Sequence, residues 1–171
     1  MTASAAAGAT DRAEVLACLA HQRAAVLDVL ADLDEADLRR SVVPSAWTPL
    51  GLVEHLGYAE RLWGQRVLAG EVADLPWPRD DARADSPWDG NGHEVADVLA
   101  FYRDQCERTD AVLAGLDLGA VPTHVPRADL PTDLGTVREV VLHLVEETAR
   151  HAGHLDIARE LLDGRTGLGP R

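Results

Sequence analysis

The chain contains no lysine; all 16 of its basic residues are arginine. It also has a single methionine, only two cysteines, and few aromatic residues, 4% of the total. Each scarcity narrows the field. Cys18 and Cys106 show no CxxC spacing, which argues against a disulfide framework or a thiolate metal site. Both fall inside predicted helices and read as small buried apolar residues. No apolar run approaches the ~20 residues that a membrane span needs. The opening MTASAAAGATDR has neither the basic region nor the apolar stretch of a signal peptide. Residues 1–11 therefore read as a frayed tail, and the chain is expected in the cytoplasm. Positive charge is short as well, with 16 basic residues against 29 acidic ones and a formal net charge of −13. That charge repels a phosphate backbone or an acidic lipid surface, so neither nucleic acid nor membrane is an expected partner. Abundant Ala, Asp and Gly beside absent Lys suggest a GC-rich bacterial coding composition, which bears on source rather than chemistry.

What is present is helical periodicity. The 171 residues suit one domain with its own core. No segment sustains strand alternation, and four stretches carry apolar residues at helical spacing. The first is predicted over residues 12–33, with Asp11 and Glu14 spaced as a capping box. The second, 49–69, has Thr48 as N-cap, Pro49 at its first position and Gly70 just beyond its end. The third, 92–116, is bracketed by Asn91 and Glu94, and the fourth, 137–163, by a Thr136/Glu139 capping box and Gly164. The expected fold is an all-α four-helix bundle over residues 12–164, followed by a short tail at 165–171. Residues 71–91 and 117–135 are long and Pro-rich. The first of these is long enough to cross the length of a bundle, which would make the second and third helices parallel.

The chemistry concentrates in histidine. His55 lies between Leu52 and Leu56 on the apolar stripe of its helix. In HLVEETARHAGHLD, at ~100° per residue, His143, Glu147, His151 and His154 share a narrow sector beside the buried Leu144 and Leu155. Ionisable groups facing a core are costly unless paired or bound to a metal. Glu147 and His151, four residues apart, project side by side. With His55 from a neighbouring helix they form a candidate three-ligand metal site of the kind bundle interiors host. Two imidazoles and a carboxylate suit zinc first, then nickel, with iron and manganese also compatible. Alternatives remain: a core His can be a hydrogen-bonded packing residue, and the four-residue cluster can be structural. His21, His93 and His124 show no partner pattern. Arg66, about three helical turns beyond His55, is a candidate buried charge partner, and Trp47 and Trp88 can border a pocket mouth or simply pack.

The segments VPSAWTPLGLVEHLGYAERLW (43–63) and TVREVVLHLVEETARHAGHLDIARELLDGRTG (136–167) carry a further signal. Through them the chain resembles the DinB-like superfamily, in particular its actinobacterial branch related to mycothiol-dependent enzymes. The resemblance implies a four-helix bundle with a long crossover between helices 2 and 3. It also implies a divalent metal held by one His on helix 2 and two ligands a turn apart on helix 4, which map onto His55, Glu147 and His151. Many relatives have His where Glu147 stands and Gln where His154 stands, so His154 is a supporting group or an extra ligand. The activities implied are transfer and isomerisation with low-molecular-weight thiols, here a mycothiol-dependent thiol transferase acting on a small electrophile. The metal would convert the cosubstrate thiol to a thiolate. The alternatives are a metal-dependent hydrolase and a noncatalytic metal- or ligand-binding stress protein. A homodimer is compatible with a bundle that exposes apolar edges.

Overall fold

The computed structural model describes residues 2–70, 88–90, 92–122 and 135–166, with side chains from residue 10 onward. Five α-helices follow in order: α1 (Thr2–Leu30), α2 (Glu35–Leu38), α3 (Pro49–Glu60), α4 (Val95–Ala114) and α5 (Val137–Asp163). A π-helical segment, Arg61–Val67, prolongs α3. There is no strand among the described residues, and no helix there is long and apolar enough to cross a membrane.

Several ends follow the local chemistry of the sequence. Thr48 caps α3 by accepting the Gly51 N–H, with Pro49 in the first turn. Thr136 and Glu139 form the capping box of α5, and Gly164 ends that helix at φ 78°. A left-handed residue at that point carries little cost for glycine.

Other ends depart from expectation. Helix α1 starts at Thr2, within the stretch the sequence assigns to the tail, and stops at Leu30. Its alanine-rich start has high helix propensity. Asp11 therefore sits inside α1, where it pairs with Arg138 of α5 instead of capping. Helix α4 starts at Val95 with Glu94 as its N-cap, later than expected, and ends at Ala114. The short α2 lies between α1 and α3; Asp34 caps it by accepting the Asp37 N–H.

The chain direction follows from which residues meet. A Cβ on Gly57 would touch Phe101, and one on Gly64 would touch Thr109, so α3 and α4 run parallel. Asp11 meets Arg138 and the Val29 carbonyl meets Arg159, so α1 and α5 are parallel too. His55 faces Glu147 while Trp63 faces His143, which makes α3 and α5 antiparallel. The lengthwise crossover expected between α3 and α4 falls largely on residues 71–87, which lie outside the described residues.

Two apolar clusters fill the bundle. One is centred on Val26, Leu52, Leu56, Tyr102 and Leu155; the other on Leu19, Val67, Leu113, Val141 and Leu144. Between them every long helix contributes a buried polar residue: Arg23, Glu60, Thr109 and Thr148. Arg23 donates from Nε to Glu60 Oε1 and from Nη2 to Oε2, both at 2.7 Å, and from Nη1 to Asp110 at 2.6 Å. This fork-on-carboxylate geometry ties α1 to α3 and α4. The Thr109 hydroxyl donates to the Glu60 carbonyl at 3.2 Å, at the point where the backbone turns π-helical. A Cβ at Gly64 would lie 2.2 Å from Thr109 Oγ1, so bare glycine permits the close approach of the two helices there.

Candidate metal centre

Helix α3 delivers His55 and α5 delivers Glu147 and His151 to one place. His55 Nε2 lies 3.0 Å from Glu147 Oε1, and His151 Nε2 lies 3.1 Å from the same oxygen. One ligand atom from each residue falls within 4.8 Å of the others. The surroundings of the three side chains sharpen the geometry. The His151 side chain is 7% exposed, and those of His55 and Glu147 are 16% each. Hydrogen bonds from His151 and then His55, opposed by burial, hold the Glu147 carboxyl well below the usual carboxylate range. The carboxylate is therefore ionised at neutral pH, ready to accept hydrogen bonds or a cation.

The donor set fits a divalent ion. Ligands at about 2.0–2.1 Å in a tetrahedron stand ~3.3 Å apart, close to the two His–Glu separations. Two imidazole nitrogens and one carboxylate oxygen from three residues match the protein share of an open zinc site. Without an ion, the same atoms satisfy one another through hydrogen bonds, with Glu147 Oε1 as the shared acceptor.

Trp88 forms one wall. Its ring stacks on His55 with centroids 3.7 Å apart and planes at 11°, and it meets His151 edge-on at 5.5 Å. The backbone around it is clasped to the start of α3. The Thr48 N–H donates to the Trp88 carbonyl and the Thr48 hydroxyl donates to the Asp89 carbonyl, both at 2.8 Å. Gly51 leaves room for this clasp, since a Cβ there would lie 2.0 Å from the Trp88 carbonyl oxygen. Gly51→Ala is therefore expected to push the segment away and strip the indole from His55. Overpacking of this kind costs about 1–3 kcal/mol. Near-UV circular dichroism and thermal melting would register the change. Wild-type values for both would mean that the clasp does not hold Trp88.

The remaining residues singled out by sequence fall elsewhere. His143 lies outside the donor group and packs edge-on against Trp63, with centroids 4.4 Å apart. His154 is exposed and places its Nδ1 3.2 Å from His151 Nδ1, with Trp47 6.1 Å from its ring. Trp88 thus borders the centre, while the ring contact of Trp47 is with His154. His93 faces Glu54 at 3.5 Å, His21 is exposed, and His124 lies outside the described residues. Arg66 forms no ion pair among the described residues, and its buried Nε lacks a hydrogen-bond partner there. The π-helical turns between it and His55 shift the register that plain α-helical counting assumes. The buried charge partner is instead Arg23, which the spacing of α1 did not single out.

Cys18 is exposed, contrary to the buried position expected for it. Cys106 is half-buried, and its thiol is pushed up to about 12 by burial and then by Glu60. Neither cysteine lies in the donor group.

The profile of the family described as Mycothiol-S-transferase matches residues 14–164 of the chain. No curated protein matches it, and no solved structure does.

Proposed function

Because the chain belongs to the Mycothiol-S-transferase family, we propose that it joins mycothiol, or a closely similar thiol, through its sulfur to a small electrophile. The proposed metal ligands are His55, Glu147 and His151, with zinc as the first candidate ion and nickel as the second. The supporting observation is the convergence of two imidazole nitrogens on one ionised carboxylate oxygen in a mostly enclosed place.

When bound, a divalent ion supplies Lewis-acid chemistry that lowers the pKa of a thiol beside it. The chain's own residues set the conditions for that chemistry. Glu147 contributes the only negative charge of the donor set, so the set leaves a divalent ion one net positive charge and an affinity for anionic sulfur. His55 is held flat against Trp88, and the indole closes one side of the site to water. The side chains of Cys18 and Cys106 stay outside the reaction, since the nucleophile is the cosubstrate. In the transfer, a sulfur–carbon bond forms as the thiolate attacks the electrophilic carbon. The leaving group departs with its bonding pair, and the thiol proton goes to solvent.

A cobalt-substituted sample tests this reading. Mycothiol is expected to produce a thiolate-to-cobalt charge-transfer band, and an electrophile panel should consume the thiol and yield the conjugate by mass spectrometry. A hydrolase would leave the spectrum unchanged by thiol and turn over an ester or amide without it. A noncatalytic binder would show the band and consume no thiol. Either outcome would overturn the transferase reading.

A further inference from the structure

His154 stands next to the three donors without being one of them. It follows His151 by three residues on α5, so both rings project from the same side of the helix. Their Nδ1 atoms are 3.2 Å apart and their ring centroids 5.2 Å apart at 64°. His151 is 5% exposed, so its Nδ1 has little access to bulk water. The ring of His154 is flanked by Trp47, the residue just before the N-cap of α3.

We propose that His154 is a positioning residue for the metal centre: when a metal takes the place of the proton that His151 Nε2 donates to Glu147, His154 Nδ1 accepts the hydrogen bond of His151 Nδ1–H and holds His151 in the tautomer whose Nε2 lone pair faces the ion. The inference rests on the metal reading of His55, Glu147 and His151. A neutral imidazole carries one N–H, and the other nitrogen is an acceptor. For His151 to offer its Nε2 lone pair, the proton must sit on Nδ1. A buried donor left without an acceptor costs about 1–3 kcal/mol, and His154 Nδ1 is the atom placed to accept it. The ring proton of His154 then resides on its own Nε2, where the exposed side chain meets water. Metal-bound histidines nearly always donate their second N–H to a carboxylate, a carbonyl or water. Here the acceptor is a second imidazole, which orients the ligand without adding negative charge. The centre keeps the net positive charge that attracts a thiolate.

The test compares zinc affinity, by competition with a chromophoric chelator, in the wild-type protein, His154→Ala and His154→Gln. Long-range nitrogen–proton NMR of the imidazoles, with and without zinc, accompanies it. His154→Ala should bind zinc about 10–100-fold more weakly, with unchanged helical circular dichroism because the residue is exposed. His154→Gln, whose amide oxygen can accept the same N–H, should regain most of the affinity. In the zinc-loaded wild type, His151 should show its proton on Nδ1. Wild-type affinity in His154→Ala would overturn the inference while leaving the metal site standing. So would equal losses in both variants, or a proton on His151 Nε2 in the loaded protein. Absence of zinc binding by the wild-type protein would overturn the metal reading, and this inference with it.

Discussion

His151→Ala and Glu147→Ala are each expected to weaken zinc binding by well over the ~10–100-fold that loss of a supporting residue brings. Each removes one of the three proposed protein donors. Glu147 has the central place, because both imidazole nitrogens approach its Oε1, at 3.0 and 3.1 Å. Its loss also removes the sole charge of the set. His55→Ala should follow the same pattern. His143→Ala should leave affinity unchanged, since that ring packs on Trp63 instead. The helices should survive all four changes, because the apolar clusters of the bundle do not depend on these residues. Zinc titration followed by far-UV circular dichroism would check both halves. Loss of binding in His143→Ala with retention in Glu147→Ala would show that the ligand register is wrong by one helical turn.

The largest effect on stability is expected at Glu60. Its side chain is 2% exposed and that of Arg23 is 9%, and together they form a two-pronged ion pair inside the bundle. Glu60→Ala would leave the guanidinium buried with Asp110 as its only carboxylate partner among the described residues, and the Asp110 side chain is 62% exposed. Removing one member of a buried pair typically costs about 3–5 kcal/mol, readable as a lower midpoint in urea unfolding. Replacing both members by apolar residues of similar size, as in Arg23→Met with Glu60→Leu, should recover most of that loss, because no charge is then stranded. A single Glu60→Ala variant as stable as wild type would mean that water or another group reaches Arg23.

Features governed by neighbours along the chain were legible in the sequence. The Thr136–Glu139 capping box, the Thr48–Pro49 start and the glycine stops at residues 70 and 164 are local arrangements, and each occupies its expected place. The alignment of Glu147 with His151 was legible for the same reason, being set by one turn of helix. Features that depend on two distant segments were not. The stacking of Trp88 on His55 depends on a backbone clasp between residues 48 and 89, and no periodicity encodes it. The position of Arg66 depends on π-helical turns that helical periodicity does not announce. Asp11 has the residue type and spacing of a cap, yet Arg138, distant in sequence, engages it inside a longer helix. Arg23 reads as one more surface arginine until Glu60 is brought against it.

The antiparallel meeting of α3 and α5 has a consequence for how the protein acquires its centre. His55 and Glu147 are 92 positions apart in the chain. Closing a loop of that size carries an entropy cost that local helix formation does not repay. Contacts of such long range also belong to slower folding topologies than up-and-down bundles joined by short turns. The site is therefore a property of the completed bundle: a nascent chain that has made α3 cannot bring Glu147 and His151 to His55 until α5 is synthesised and docked. A ligand bridging the two helices would bind the folded chain in preference to the unfolded one, so it would raise the melting temperature in step with its own concentration.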